Sequence, residues 1–348
     1  MPKTKIIATL GPASNTPTTI RKMMVDGLDV VRLNFSHGTH QEHKKCIDTV
    51  RSLNKKYRRH IRILQDLEGP RIRIGRFKGI PGNVIPLKKR QIVFLTNKKK
   101  NDTPGMIPFD YPGPLADFKT GHFIYIDDGL IALQVKSRTK NYLAAEVIVG
   151  GTLKENKGVN IPDIKLKFQT ISEKDKTDIR FGIKNNVDFI AQSFVRNKKD
   201  ILSVRQLLGT HPACVIAKIE NHDGIKNIDE IMDVSDGIMI ARGDMGVSLP
   251  IYEVPVWQKI LIKKCKQKKK FVITATQMLE SMTEHIRPTR AEVSDVANAI
   301  FDGSDYCMLS AETAAGLYPV QSVLMMNQII KFTESYIETI KRQKEKTP

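Results

Sequence analysis

Largely apolar runs of about six residues recur along this chain, and most end in polar residues. Lys5–Leu10 (KIIATL) leads into the turn residues Gly11-Pro12 and a helical stretch from Thr18. Val30–Phe35 (VVRLNF) comes next, then an amphipathic pattern from about His40 to Asn54, then Ile61–Asp66 (IRILQD). Such runs alternating with amphipathic helices predict parallel strands covered by helices.

The rhythm breaks after this third strand. From Gly69 to about Lys165 the chain offers short β-like runs, Ile92–Leu95, Phe123–Ile126, Ala132–Val135 and Ala144–Val149. Gly and Pro punctuate them at Ile80-Pro81-Gly82, Tyr111-Pro112-Gly113-Pro114 and Gly150-Gly151, and no helical pattern appears. An inserted all-β domain over 69–165 is expected. The alternation then resumes. Ser172 with Asp175 three residues on predicts a helix start. Strands are expected at Asp188–Phe194, Cys214–Ile219, Gly237–Ala241, Phe271–Thr276 and Tyr306–Ser310. Helices are expected at Lys198–Leu208, Ile225–Met232, Pro255–Lys269, Arg290–Phe301 and about Val320 to Arg342. In the helix from Pro255, Val254, Trp257, Leu261 and Cys265 share one face by their spacing and read as core packing.

Eight strands and eight helices outside the insertion, over 1–68 and 166–348, give about 250 residues, the usual size of a (β/α)₈ TIM barrel. The expected class is therefore α/β, with the all-β domain inserted after strand 3. Barrels of this kind carry their sites at the C-terminal ends of the strands. Here those ends hold Thr9 and Gly11; Asn34, Ser36 and His37; Asp66 and Glu68; Gln192 and Ser193; Lys218 and Glu220; Arg242 and Asp244; Thr276 and Gln277; Ser310 and Glu312. A barrel serving only as scaffold has no need of polar residues at nearly every strand.

The densest stretch runs from Ala217 to Gly246, where one strand ends in Lys218-Ile219-Glu220-Asn221 and the next in Arg242-Gly243-Asp244. Two carboxylates on one rim suit Mg²⁺, which takes one or two carboxylates and shares its remaining positions with water and substrate phosphate. The spacing alone also describes two ordinary strand ends with solvated charges.

Composition narrows the setting. Hydrophobic residues make up 41% and charged residues 27% of 348, ordinary for a folded protein, and no apolar run reaches a membrane span. The N-terminus enters a strand directly, without signal-peptide architecture. Cys46, Cys214, Cys265 and Cys307 are scattered, with no C-x-x-C pair, and read as reduced thiols of a cytoplasmic protein. The net charge of +19 gathers in runs at Lys55–Arg59, Lys88–Arg90, Lys98–Lys100 and Lys263–Lys270. Such a balance favours anionic partners or a solvated basic surface. Tyr57 is the single aromatic within these runs, too few for a base-stacking platform, which argues against nucleic acid.

Several long blocks resemble the signature segments of the pyruvate kinase family: TKIIATLGPAS from Thr4, VRLNFSHG from Val31, KIEN from Lys218, ARGDMG from Ala241, ATQMLESM from Ala275, RPTRAE from Arg287 and DGSDYCMLSAETAAG from Asp302. They keep the family's order from residue 3 to about 320. The resemblance implies a barrel A domain with a β-rich B domain as a lid inserted after strand three. It also implies transfer of the phosphoryl group of phosphoenolpyruvate to ADP, giving pyruvate and ATP. By match to the family's motifs, Glu220 and Asp244 would bind Mg²⁺ (or Mn²⁺), and Lys218 would face the phosphoryl group. Arg32 and Arg73 would bind phosphate, with Arg73 shared with the nucleotide. Gly243 and Asp244 would offer backbone N–H groups to the substrate carboxylate. Thr276 would lie beside the methylene carbon, with Ser310 and Glu312 completing a proton network. Asn34, His37 and Lys174 match nucleotide contacts.

Two departures carry further expectations. Potassium-dependent members of the family have Asp-Thr at the end of strand three; here the pair is Asp66-Leu67, and Arg71 stands where they have Glu. Asn34, Ser36, Asp66 and Leu67 would thus be the remnant of a monovalent site whose charge Arg71 supplies, and K⁺ would not be required. The family's C-terminal domain has no counterpart before Pro348, so activation by fructose 1,6-bisphosphate is not expected, and a homodimer through the barrel or a monomer is. Ser248, where the family often has Glu, has no account. The alternative reading is a catalytically weak paralogue with a binding or regulatory role.

Overall fold

The computed structural model describes residues 2–77, 81–98, 105–127, 129–162, 164 and 171–346. Lys99 and Lys100 of one basic run, Ile80 of a predicted turn, Lys165 at the expected domain border and the last two residues lie outside them. The chain divides into two compact units. One comprises Met1–Gly69, Ile171–Arg242 and Tyr252–Pro348; the other comprises Pro70–Thr170 with Gly243–Ile251.

In the first unit the strands Lys5–Thr9, Leu28–Asn34, Arg62–Asp66, Phe189–Gln192, Cys214–Ile219, Gly237–Ala241, Phe271–Ala275 and Tyr306–Leu309 close into a barrel. Every pairing is parallel and follows chain order, and the ring closes where Lys5 pairs with Tyr306. Helices Pro17–Val25, His40–Tyr57, Glu173–Lys184, Lys198–Leu208, Val254–Gln267, Arg290–Asp302 and Pro319–Lys346 alternate with the strands. The helix expected at Ile225–Met232 is instead two pieces, His222–Lys226 and Ile228–Val234. They part at Asn227, whose Nδ2 donates to Arg196 O at 2.7 Å. In Val254–Gln267 the buried face is Val254, Gln258, Leu261, Ile262 and Cys265. Trp257, expected in that core, is only partly covered, and its Nε1 reaches Glu253 at 3.3 Å.

Strand alternation explains why this barrel has a polar end. Side chains two apart share a face. The middle of the interior is Ile7, Val30, Leu64, Ala191, Ile216, Met239, Ile273 and Met308. Two residues earlier, Phe189, Phe271 and Tyr306 form an edge-to-face floor with Arg62 stacked 4.7 Å over Phe189. Two residues later on the same inward register come Thr9, Arg32, Asp66, Ser193, Lys218 and Ser310. The middle is filled with apolar side chains and the floor with aromatic rings and Arg62, so among the described residues these layers form a packed core beneath the polar rim.

The second unit is built on a seven-stranded sheet. Its order is Ile72–Arg73, Gly158–Asn160, Phe123–Ile126, Ile131–Arg138, Leu143–Val149, Ile92–Thr96 and Met106–Pro108. A two-stranded pair, Val84–Leu87 with Gly151–Lys154, accompanies it. Its own core includes Leu95, Phe118, Ile124 and Leu133, all fully buried. Among the described residues between 70 and 170 the only helical segments are the 3₁₀ turns Pro81–Asn83 and Leu115–Asp117.

Candidate active site

The upper layer of the barrel is a buried chain of ion pairs spanning five adjacent strands. Register sets it up: Thr9 pairs with Arg32, Asn34 with Asp66, and Asp66 with Ala191. Arg32 Nη1 donates to Thr9 Oγ1 at 3.0 Å and its Nε to Asp66 Oδ2 at 2.7 Å. The other oxygen of Asp66 lies 3.1 Å from Lys218 Nζ, which is also 3.1 Å from Glu220 Oε1. Ser193 Oγ accepts from Lys218 Nζ at 2.6 Å and donates to the Leu67 carbonyl at 2.7 Å. Phe194 N–H donates to Glu220 Oε2 at 2.6 Å. Asp66 and Glu220 are 0% exposed, Lys218 8% and Arg32 9%.

Two cations and two carboxylates buried together balance in charge, as buried ions must. Burial alone would raise the Asp66 pKa. Lys218 and Arg32 outweigh it, and the carboxyl is held below its usual range. Close approach at this end also needs Gly69. Its φ is +71°, a Cβ there would sit 2.9 Å from Ser193 Cβ, and its N–H donates to Asp175 Oδ1 at 3.2 Å. Asp175 closes the predicted capping box with Ser172.

A second cluster lies on the seventh and eighth strand ends. Thr276 and Gln277 have φ of +70° and +52°, both left-handed, which is uncommon for side-chain-bearing residues and an outlier for a β-branched one. Glu312 is fully buried; its Oε1 accepts from Leu279 N at 3.0 Å and its Oε2 from Ser310 N at 2.7 Å. Ser310 Oγ is buried without a hydrogen-bond partner among the described residues.

Lys174 donates to Asp178 Oδ2 at 2.8 Å and to Phe35 O at 2.6 Å, and sits 3.3 Å from Glu68. Burial alone would lower its pKa; Asp178 and Glu68 outweigh that and raise it. Beside it opens a pocket of about 310 Å³ lined by Phe35, Gly38, His40, His43, Lys174 and Asp178. The His43 ring stacks on Phe35 at 4.1 Å. Asn34 Oδ1 accepts from Ser36 N at 3.1 Å, which ties these two together at the second strand end. The His37 side chain is exposed and is not among the residues lining the pocket.

The remaining expected residues belong to the second unit. Arg73 Nη1 donates to Asn156 O at 2.9 Å, and its backbone N–H donates to Asp110. Arg71 Nη2 lies 3.6 Å from Asp244 Oδ1. The Arg71 guanidinium packs over Gly158, where a Cβ would meet its Nε at 2.4 Å and push the side chain aside. Gly243 and Asp244 open the short helix Arg242–Ser248, directly after the sixth strand. Asp244 Oδ1 is buried and has no hydrogen-bond donor among the described residues.

Sequence reading gave Ser193 and Arg242 no role beyond polar strand ends. The signal for Ser193 was its position two residues past inward-facing Ala191. Arg242 could not be found that way, because most of its contacts are to backbone carbonyls of another strand end. Three of the six lysines in the Lys263–Lys270 run are ion-paired: Lys264 with Asp229, Lys266 with Asp305 and Lys268 with Asp233. No described helix is long and apolar enough to cross a membrane.

A closed parallel barrel with an inserted β unit and an ion-paired C-terminal rim defines a (β/α)₈-barrel protein with its chemistry at the strand ends. The family described as "Pyruvate kinase, barrel domain" matches residues 1–323. Pyruvate kinase of Geobacillus stearothermophilus is 48% identical over 341 residues, covering 97% of this chain and 58% of that protein. Those of Staphylococcus epidermidis and Staphylococcus aureus are each 48% identical over 339 residues, covering 96% of this chain and 57% of theirs. The chain belongs to the pyruvate kinase family, and it spans under three fifths of the length of these relatives.

Proposed function

We propose that the chain transfers the phosphoryl group of phosphoenolpyruvate to ADP, giving pyruvate and ATP. The observation that carries this is the buried Arg32–Asp66–Lys218–Glu220 network. It presents two cations in the layer directly above the apolar middle of the barrel, and phosphoryl transfer asks a protein mainly for positioning and charge.

The residues divide the work as follows. Lys218, fixed by three oxygens, faces the phosphoryl group as it moves; preorganised charge of this kind is often the largest catalytic contribution. Arg32 and Arg73 hold phosphate oxygens, for which a planar guanidinium fork is suited. Breaking the P–O bond of phosphoenolpyruvate leaves an enolate, while a new P–O bond forms to the terminal phosphate of ADP. Thr276, with Ser310 beyond it, passes a proton to the enolate carbon. The backbone of Gly243 and Asp244 seats the substrate carboxylate. Lys174, with Asn34 and His37, meets the nucleotide, and the pocket beside Lys174 offers aromatic faces for a base.

Glu220 and Asp244 are the proposed protein ligands of a divalent cation. Glu220 is a buried carboxylate, Asp244 Oδ1 is a buried oxygen without a donor, and Mg²⁺ needs no more than two protein carboxylates. When bound, Mg²⁺ or Mn²⁺ would supply positive charge to the enolate and phosphate oxygens. K⁺ is proposed not to be required. Both Asp66 oxygens already bond Arg32 and Lys218, and Leu67 contributes a buried apolar side chain in place of an oxygen; Arg71 is proposed to supply the missing charge.

A coupled assay with phosphoenolpyruvate, ADP and Mg²⁺ tests this reading. Wild type is expected to turn over, and Glu220→Gln to lose about 10²–10³-fold in kcat. Equal rates in the two would refute the metal assignment, and an inactive wild type the function.

A further inference from the structure

Arg242 makes contacts that the proposed chemistry does not use. Its guanidinium is gathered around the turn after the seventh strand. Nε reaches the carbonyls of Ala275 at 3.3 Å and Thr276 at 3.2 Å, and Nη2 reaches Thr276 O at 2.6 Å and Gln277 O at 3.2 Å. Nη2 also touches Met278 Sδ at 3.0 Å. The other end is held by Asp295 at 2.6 Å and Gln258 at 3.3 Å. The side chain is only 11% exposed.

The turn it grips is the one with two consecutive left-handed residues, Thr276 and Gln277. Neither is glycine, so the conformation persists only where surrounding structure over-determines it, and such positions cluster at functional sites. Three successive carbonyls converge on one cation, which is what the five donors of a guanidinium supply and the point charge of an ammonium does not. From this geometry we infer that Arg242 is a positioning residue for proton delivery. It fixes the Thr276 turn in its left-handed form, and Asp295 and Gln258 in turn fix Arg242. This rests on the reading of function above, in which Thr276 serves the enolate carbon.

Arg242→Lys keeps the charge opposite Asp295 and loses the fork. The expected result is a fall in kcat of about 10–100-fold, the scale of a misplaced group, with KM for phosphoenolpyruvate within about threefold of wild type. Washout of deuterium from labelled pyruvate, which reports proton transfer at the methyl carbon, falls in proportion. The deciding measurement is a double-mutant cycle: in a Thr276→Val background Arg242→Lys costs less than about threefold further. Asp295→Asn gives the same non-additivity with a smaller loss and keeps the test open should Arg242→Lys not fold. With an active wild type, multiplicative losses in the cycle, or a rise in KM at unchanged kcat, overturn this inference alone. An inactive wild type overturns the reading of function and this inference with it.

Discussion

Asp66 and Lys218 face each other at 3.1 Å from adjacent regions of the barrel rim, both buried, and Asp66 spends its second oxygen on Arg32. The carboxylate thereby fixes the spacing of the two cations proposed to handle phosphate. Among the described residues no other buried carboxylate touches both cations.

Removing that charge is expected to cost stability as well as rate. Asp66→Asn leaves two buried cations short of a partner, a change worth about 3–5 kcal/mol in other proteins. The pH dependence follows from the lowered folded pKa. An unfolded Asp titrates near pH ~3.9. With the folded value below this, the native state gains stability at every pH above about 3.9, and the gain is lost as pH falls through the folded pKa. Wild type minus Asp66→Asn, measured by urea unfolding from pH 3 to 8, is therefore expected to stay level above about pH 5 and shrink below pH ~3.9. A difference that grows on acidification would show that the carboxyl is not held ionised.

Arg71 separates the monovalent-cation question from the divalent one. It lies 3.6 Å from Asp244 Oδ1, in a space that glycine at 158 leaves open. Initial rates with K⁺ replaced by tetramethylammonium are expected to change by less than about threefold, and Arg71→Gln to lose about 10²-fold, on the scale of one lost electrostatic contact. Added K⁺ should not rescue Arg71→Gln, since Leu67 offers no side-chain oxygen to hold it. Tenfold activation of the wild type by K⁺ would sink the idea.

The legible part of this protein was what period and order determine. Strand alternation with amphipathic helices gave the eight-stranded barrel, because each strand buried on both faces must read as apolar. The same period of two carries Arg32, Asp66 and Lys218 inward above Val30, Leu64 and Ile216. The pairwise geometry was not legible. Asp66 was expected only in a remnant monovalent site, and the bridge it makes from Arg32 to Lys218 depends on strand register, which sequence does not state. Arg242 escaped for another reason: the turn it grips offers it the carbonyls of Ala275, Thr276 and Gln277, which carry no side-chain signal, and its side-chain partners Asp295 and Gln258 sit on two other helices. Trp257 was assigned to the core by spacing, but the helix turns Gln258 and Ile262 inward instead.

Glu312 offers the clearest division between a proton carrier and an anchor. Sequence resemblance put it in a proton network with Ser310 and Thr276. In the fold its two oxygens accept the backbone N–H groups of Leu279 and Ser310, and the carboxylate is 0% exposed. It thus ties the segment after Thr276 to the start of the segment after the eighth strand. Glu312→Gln turns one acceptor into an NH₂ that faces a backbone donor. Leaving a buried donor unsatisfied costs about 1–3 kcal/mol. The expected result is a loss of stability of that size and a fall in kcat, with the shape of the pH–rate profile unchanged. A carrier would behave differently, since the profile would lose one limb while the urea midpoint stayed in place. Measuring both quantities on one preparation decides between them. An unchanged midpoint with a missing limb would return Glu312 to the proton path.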